Sequence, residues 1–170
     1  MATYVALLRA VNVGGTGKLP MATLVKMCEA LGFEQVRTYI ASGNAVFSSR
    51  LKEQKVKALL EQRLAEYAGK PVGVLVRTGT EMAAVLAANP FRTEPPNRTV
   101  AIFLDEAPPP HALEEARGRR SEKAALGMRE IYVAYGDRMA DSKLVIPAAA
   151  TGTARNMNTV AKLAAMAGGT

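Results

Sequence analysis

The stretch that decides the fold is residues 4–47, which read YVALLRAVNVGGTGKLPMATLVKMCEALGFEQVRTYIASGNAVF. Its first residues form an unbroken apolar run, which is typical of a strand that is buried on both faces. A glycine-rich loop follows, and a helical pattern then opens with Pro20 and closes on Gly32. Two β-rich runs, broken at Ser42-Gly43-Asn44, complete the stretch and predict a hairpin or a sharp bend.

The rest of the chain extends this pattern into two halves. A helical pattern at 51–70 and an apolar run at 72–76 complete the order β-α-β-β-α-β, which is typical of a ferredoxin-like unit. We therefore predict an α+β fold of two ferredoxin-like (βαββαβ-type) halves packed together, residues 1–78 and 79–170, the second one partial. The apolar face expected for the helix at 51–70 consists of Val56, Leu59, Leu60, Leu64 and Tyr67.

The second half shows fewer clear elements than the first. Its pattern predicts a helix that ends at Pro90, a strand at 99–104, a short helix after His111, two strand-like segments within 121–135 and a final helix near 156–167. Because the strands are apolar on consecutive residues, each sheet needs cover on both faces, from the other half or from another subunit. This argues against an RNA-recognition motif, whose exposed sheet aromatics stack on bases.

Composition limits the possible partners and cofactors. The net charge of +7 and the pI near 9.8 attract polyanions without specificity, which gives weak support to nucleic-acid binding. No apolar stretch approaches the ~20 residues of a membrane helix, and the N-terminal residues do not resemble a secretory signal, so we expect a cytoplasmic protein with no membrane partner. With Cys28 and His111 the single residues of their types, we expect no disulfide framework and no metal site.

The glycine-rich loop does not match a standard nucleotide-binding motif. A phosphate-binding Walker loop would need glycine where Asn12 stands and a hydroxyl where Leu19 stands, and the dinucleotide fingerprint would need glycine in place of Pro20. A general anion site at the start of the following helix is compatible with the sequence. The alternative is that the glycines simply turn the chain and that Lys18 is solvated.

A second informative segment, TARNMNTVAKLAAMA, covers residues 153–167. At helical spacing Arg155, Asn158, Thr159 and Lys162 lie on one side, opposite an apolar face. Asparagine and threonine are poor helix formers, so their presence favours a hydrogen-bonding role. Capping of the helix by Thr153 or Asn156 is the competing explanation.

The segments YVALLRAVNVGGTGKLPMATLVKMCEALGFEQVRTYIASGNAVF and TARNMNTVAKL together resemble domain-of-unknown-function family number 1697. The resemblance implies a two-part α+β fold with ferredoxin-like halves and no established activity. Many relatives have tryptophan where this chain has Met157, which favours core packing over aromatic stacking at that position. The residues that match the family's motif positions are Arg9, Asn12, Gly14, Gly15, Lys18, Ser42, Gly43, Asn44, Arg155, Asn156, Asn158 and Thr159.

Our leading hypothesis is a binding module in which these twelve residues hold one small anionic ligand, phosphate- or nucleotide-like, through charge-assisted hydrogen bonds. The alternatives are an enzyme acting on a phosphorylated or nucleotide-like substrate, a non-specific nucleic-acid-binding protein and a structural partner protein. The sequence identifies neither a cofactor nor an oligomeric state. An enzyme would need a base, and the acids nearest to loops are Asp105, Glu106, Asp137 and Asp141.

Overall fold

The computed structural model describes residues 1–9 and 18–168, with Arg138 described without its side chain. It contains two four-stranded antiparallel sheets and four α-helices within this part of the chain. The chain divides into two compact units, one formed by Met1–Ala83 with Leu163–Thr170 and the other by Ala84–Lys162. We call these the first and the second unit.

The first unit contains the elements of the opening stretch. They follow one another as β1 (Ala2–Leu8), α1 (Met21–Ala30), β2 (Glu34–Thr38), β3 (Asn44–Ser49), α2 (Glu53–Ala68) and β4 (Val74–Thr78). The sheet has the strand order β2-β3-β1-β4, and β1 is antiparallel to both of its neighbours. The order of elements within residues 1–78 is therefore the one that the sequence predicts.

The core of the first unit lies between this sheet and its two helices. From Tyr4 to Leu8 every residue of β1 is buried, so the unbroken apolar run does belong to a strand covered on both faces. Leu24, Met27 and Cys28 of α1 pack into this core. The apolar face of α2 is narrower than expected, and its buried members are Val56, Leu60 and Leu64, whereas Leu59 is half-buried and Tyr67 is exposed.

The edge strand β4 is fixed by side chains of α2. The backbone N–H of Val74 donates to Glu61 Oε2 at 3.0 Å, and Lys57 Nζ donates to the carbonyl oxygen of Val74. Lys57 and Glu61 also form an ion pair at 2.9 Å, one helical turn apart. These bonds occupy the first peptide groups of an edge, where unpaired groups invite the addition of another strand.

The second unit has a sheet of the same strand order with less helix around it. Its elements are the end of α3 (Gly79–Ala87), which begins in the first unit, then β5 (Thr99–Phe103), β6 (Lys123–Leu126), β7 (Glu130–Ala134), β8 (Thr153–Asn156) and the start of α4 (Met157–Gly168). The strands are ordered β6-β7-β5-β8 and every neighbouring pair is antiparallel. No helix in the described residues is long and apolar enough to cross a membrane.

In the second half one predicted helix is absent from the structure, and one strand was not predicted. Residues 110–115 form hydrogen-bonded turns instead of a helix, with Ala112 N–H bonded to the Pro109 carbonyl and Glu114 N–H to the His111 carbonyl. Between the prolines and Gly118 the segment is too short to repay the cost of helix nucleation. β8 was not predicted, because four residues next to a helical pattern carry no recognisable strand periodicity.

The sequence-based boundary between residues 78 and 79 lies where β4 ends and α3 begins. The first unit extends past it to Ala83 and includes the chain from Leu163 onwards. Both limits of the second unit therefore fall inside helices. A boundary inside a helix carries none of the glycine, proline or polar signals by which sequence analysis finds linkers.

Leu60 and Leu59 allow a matched test of how α2 is oriented. Leu60 is fully buried and its neighbour Leu59 is half-buried. We expect Leu60→Ala to lower the free energy of unfolding by about 3 kcal/mol, because it leaves a cavity, and Leu59→Ala by less than about 1.5 kcal/mol. The corresponding losses in Tm are about 6–12 °C and about 5 °C or less. Calorimetric melting of both variants checks this, and equal losses would contradict the orientation.

Candidate functional site

The C-terminal end of β1 is the point at which several of the predicted site residues meet. The Leu8 N–H donates to the carbonyl oxygen of Gly43 on one side at 2.9 Å. On the other side the Arg9 N–H donates to the carbonyl oxygen of Gly73, also at 2.9 Å. Arg9 is therefore positioned by the chain segments that lead into both neighbouring strands.

Gly73 makes room for the Arg9 side chain. A Cβ placed on Gly73 would lie 3.1 Å from Arg9 Cδ and 3.6 Å from Arg9 Cγ, so the aliphatic part of the arginine lies against the glycine backbone. Arg9 as a whole is half-buried. Nothing in the sequence alone singles out Gly73, because its role depends on a residue 64 positions away.

The bend at residues 39–44 is closed by hydrogen bonds between its two ends. The Asn44 side-chain amide donates to the Tyr39 carbonyl at 2.9 Å and to Ser42 Oγ at 3.1 Å, and the Tyr39 N–H donates to the Asn44 carbonyl at 3.1 Å. Asn44 is fully buried, and Gly43 has a φ of 89°, which favours glycine. The sequence predicted a bend here, and the structure gives its cause as a buried amide.

Ile40 is a feature of this bend that the sequence did not signal. It is β-branched and adopts a φ of 52°, a left-handed conformation that such residues rarely take. Its side chain is 49% exposed, so packing of that side chain does not explain the conformation. The hydrogen bonds between Tyr39 and Asn44 hold the backbone in place against this strain.

Lys18 lies just before the start of α1. Its side chain is exposed, its carbonyl accepts a hydrogen bond from the Tyr67 hydroxyl at 3.4 Å, and the following Leu19 is buried in the core. Pro20 occupies the N-cap position of α1. No side chain forms a capping hydrogen bond there, and the first turn contains no acidic residue. The positive end of this helix dipole thus has no carboxylate of its own helix against it.

Three of the predicted residues, Asn12, Gly14 and Gly15, lie outside the described residues. Of the others in the first unit, Arg9, Ser42, Gly43 and Asn44 are brought together at the end of β1 by the bonds given above. Lys18 is placed at the other end of the loop that Arg9 begins, and no contact between Lys18 and this group is among those described. Their role in binding a ligand stays a prediction.

The prediction that Arg155 lies on a helix face was wrong. In the second unit Arg155 belongs to β8, where it lies opposite Ala101 of β5. Its Nη1 donates to Thr153 Oγ1 at 2.8 Å and to the Ala154 carbonyl at 3.0 Å. The side chain is 7% exposed, and burial lowers the pKa of the guanidinium from 12.5 to about 10. Burial of a charged group is costly unless the group is hydrogen-bonded. The two bonds to Thr153 and Ala154 offset part of this cost for Arg155.

The neighbouring motif residues divide between capping, packing and solvent. Asn156 Oδ1 accepts a hydrogen bond from the Thr159 N–H at 2.9 Å, which is the capping arrangement considered above. Thr159 and Met157 are buried, the latter in agreement with core packing, and Asn158 is exposed. The prediction that Arg155, Asn156, Asn158 and Thr159 bind a ligand is not tested by these contacts and stays a prediction.

The structure gives the surroundings of three groups with reactive side chains, Asp137, His111 and Cys28. Asp137 is almost fully exposed and pairs with Arg98 at 2.7 Å, and His111 pairs with Glu115 on the surface at 3.0 Å. Burial, and then the charge of Glu29, raise the pKa of the Cys28 thiol to about 12. Within residues 1–9 and 18–168, no group of three or more His, Cys, Asp or Glu residues could hold a metal ion.

Comparisons with known proteins agree on the family and the fold. The family model described as "Protein of unknown function (DUF1697)" matches residues 1–132. A solved structure, that of the conserved bacterial protein SP0830 from Streptococcus pneumoniae, is similar with a TM-score of 0.81 and 25% sequence identity, covering 97% of this chain and 98% of that one. No curated protein matches the sequence.

Asn44 provides a test of the bend. Asn44→Ala should lower the free energy of unfolding by about 1–3 kcal/mol, because the Tyr39 carbonyl and Ser42 Oγ both lose the donor that holds the bend closed. Asn44→Asp should lower it further, since a carboxylate cannot donate to the Tyr39 carbonyl. Ser42→Ala is the control, with a loss below about 1 kcal/mol, since it removes one acceptor at an exposed residue. Chemical denaturation measures all three, and an unchanged Asn44→Ala variant would contradict the assignment.

Cys28 should be unreactive in the folded protein. Because burial raises its pKa to about 12, the thiolate fraction stays small at pH 7–9. We expect alkylation by iodoacetamide to be more than about 100-fold slower in the native protein than in guanidinium chloride, at pH 8. Mass spectrometry of timed samples gives both rates. Equal rates would mean that the thiol is accessible in the folded protein and would contradict its burial in the core.

Proposed function

Because the chain belongs to the DUF1697 family of proteins of unknown function, we propose a function from its own geometry: the end of β1 binds a small anionic, phosphate- or nucleotide-like ligand. The observation that carries this proposal is the position of Arg9. Its N–H donates to the carbonyl oxygen of Gly73, the preceding Leu8 N–H donates to that of Gly43, and the Arg9 stem is supported by Gly73. An arginine whose backbone and stem are fixed loses less entropy when it binds a phosphate or carboxylate.

The local charge supports an anion at this position. From the N-terminus to Lys26 the chain contains Arg9, Lys18 and Lys26 and no acidic residue, and the first carboxylate is that of Glu29. The bend at residues 39–44 contains no acidic residue either. An anion near Arg9 therefore meets attraction from the side chains adjacent in sequence and repulsion from none of them.

The two ends of the loop that follows β1 supply further favourable groups. Arg9 precedes residues 10–17, and Lys18 and the start of α1, which has no side-chain cap, follow them. Free N–H groups and the helix dipole favour negative charge at such a helix start. We include Asn12, Gly14 and Gly15 in the proposed site on the strength of the sequence, since glycines allow backbone N–H groups to converge on an anion.

Ser42 and Asn44 have different roles in this proposal. Ser42 is exposed and its hydroxyl can donate to a ligand oxygen, while it accepts from Asn44. Asn44 is buried and acts as a positioning residue that fixes the bend. Gly43 brings the bend against the end of β1 through its carbonyl.

We also propose that both units are ferredoxin-like, the second one partial. The support is that the sheets share one strand order when the strands of each unit are numbered along the chain, namely second, third, first, fourth. In the first unit a helix precedes β2 and another precedes β4, as in the βαββαβ pattern. In the second unit turns and short 3₁₀ segments replace both of these helices.

Titration calorimetry and thermal unfolding with inorganic phosphate, pyrophosphate and AMP test the anion site. At 100 times its dissociation constant a ligand adds ~2.7 kcal/mol, which should raise Tm by about 5–10 °C. We expect Arg9→Ala to weaken binding at least tenfold, corresponding to about 1.4 kcal/mol, and Arg9→Lys to restore part of it as a point charge.

Arg50→Ala is the matched control, because Arg50 is exposed and its removal changes the net charge equally. It should leave the affinity within about twofold. Equal weakening by Arg9→Ala and Arg50→Ala would reduce the effect to net charge. No shift with any of the three probes at physiological salt would overturn the proposal.

A further inference from the structure

A second basic feature lies in the second unit, far along the chain from Arg9. It consists of two loops, residues 117–122 and 141–145, which we call the basic loop pair. The backbones of Arg117 and Val145 exchange two hydrogen bonds, each of 2.8 Å. These bonds join the loops as one rigid element.

Gly118 shows how closely the two loops approach. It has a φ of 73°, and a Cβ placed on it would lie 2.1 Å from the carbonyl oxygen of Lys143. No other residue fits this position without moving the backbone of the facing loop. The side chains on both loops are thus presented from a backbone that is already ordered.

Of the two carboxylates within this feature, Asp141 is exposed at the end of the second loop and Glu122 is directed inward. Glu122 is 3% exposed and accepts hydrogen bonds from the Arg120 N–H at 2.6 Å and from the Ser142 hydroxyl. Ser142 Oγ in turn accepts from the Leu144 N–H at 3.2 Å. Glu122 therefore stabilises the loop pair from within and contributes little negative charge to its surface.

The outward-facing charges are all positive within the segment 117–123. Arg117, Arg119, Arg120 and Lys123 are exposed there, and Lys143 is exposed on the facing loop. Lys123 pairs with Glu94 at 3.1 Å. Among the described residues, no carboxylate lies within ion-pair distance of Arg117, Arg119, Arg120 or Lys143.

We propose that the basic loop pair binds the phosphate backbone of double-stranded nucleic acid without sequence preference. Arginine forms paired hydrogen bonds with phosphate oxygens, and a rigid loop lowers the entropic cost of placing several arginines at once. The segment 117–123 contains no apolar residue, and Val145 is the single exposed apolar residue of the facing loop, so the loop pair lacks the hydrophobic centre of a protein interface and the anchor of a membrane-binding segment. It contains no aromatic residue on which unpaired bases could stack, which favours a duplex over a single strand.

The test is fluorescence anisotropy with a labelled 20-base-pair DNA duplex, measured between 50 and 200 mM NaCl. The variant is Arg117→Gln with Arg120→Gln and Lys143→Gln, which leaves the internal bonds of Glu122 and the Arg119 side chain in place. The matched control is Arg50→Gln with Lys52→Gln and Lys70→Gln, three exposed residues of the first unit. Both carry the same net charge, and melting curves confirm that both are folded.

Four phosphate contacts predict a loss of roughly 100-fold in duplex affinity over this salt range for the unchanged protein. The loop variant should bind at least tenfold more weakly at 50 mM NaCl and lose only about fourfold over the range, because about one contact remains. The control should keep the affinity and salt dependence of the unchanged protein within about threefold. Equal losses in the two variants would overturn the proposal, since net charge would then explain the binding. Stronger binding to anionic vesicles or to a polyglutamate peptide than to the duplex would overturn it as well.

Discussion

The hydrogen bonds that β1 makes with β3 and β4 are the constraint on which the first unit depends. β1 is an interior strand whose residues Tyr4 to Leu8 are all buried, so it must be paired on both edges and covered on both faces. The pairing continues one residue past the strand, through the bonds of Leu8 to Gly43 and of Arg9 to Gly73. Through its bond to Gly73, Arg9, the first charged residue of the chain, is fixed at the end of β1. The same arrangement that stabilises the sheet thus positions the central residue of the proposed anion site.

Most of this unit could be predicted because its signals are local. Unbroken apolar runs identify β1, β4, β5 and β7, and Pro20 and Gly32 identify the limits of α1 to within two residues. The errors came where distant contacts override the local pattern. The spacing of Arg155 matches a helix face, but pairing with β5 places this residue in β8. The spacing of Leu59 matches the core face of α2, but the buried residues of this helix are Val56, Leu60 and Leu64. Pairing partners and the exact direction of a helix are properties of the folded chain, and one sequence does not encode them locally.

The candidate site follows the same division. The sequence identified Arg9 and the bend at residues 42–44, because a strand end, glycines and a turn can be recognised in any chain. It did not identify Gly73, which acts through its contact with Arg9, or the strained backbone of Ile40. It also left open whether Asn156 caps α4, a question that the bond from the Thr159 N–H to Asn156 Oδ1 answers. Residues that act through a distant neighbour are the ones that sequence analysis misses here.

The two sheets share a strand order but differ in what surrounds them, and this difference explains where the polar structure of the second unit lies. In the first unit α1 and α2 cover the core with side chains at helical spacing, and each helix satisfies most of its own backbone groups. In the second unit the core is covered in part by loop residues such as Leu113, Ala116, Leu144 and Ala148. Loops have no internal hydrogen-bond ladder, so their position must be fixed by specific bonds, which here are those of Arg117 with Val145 and of Glu122 with Ser142.

The buried carboxylate of Glu122, which holds the loops in this way, removes a negative charge from the surface, and the arginines beside it are left facing solvent. The basic surface is therefore a consequence of covering a core with loops, and the nucleic-acid binding that we propose for the second unit depends on it.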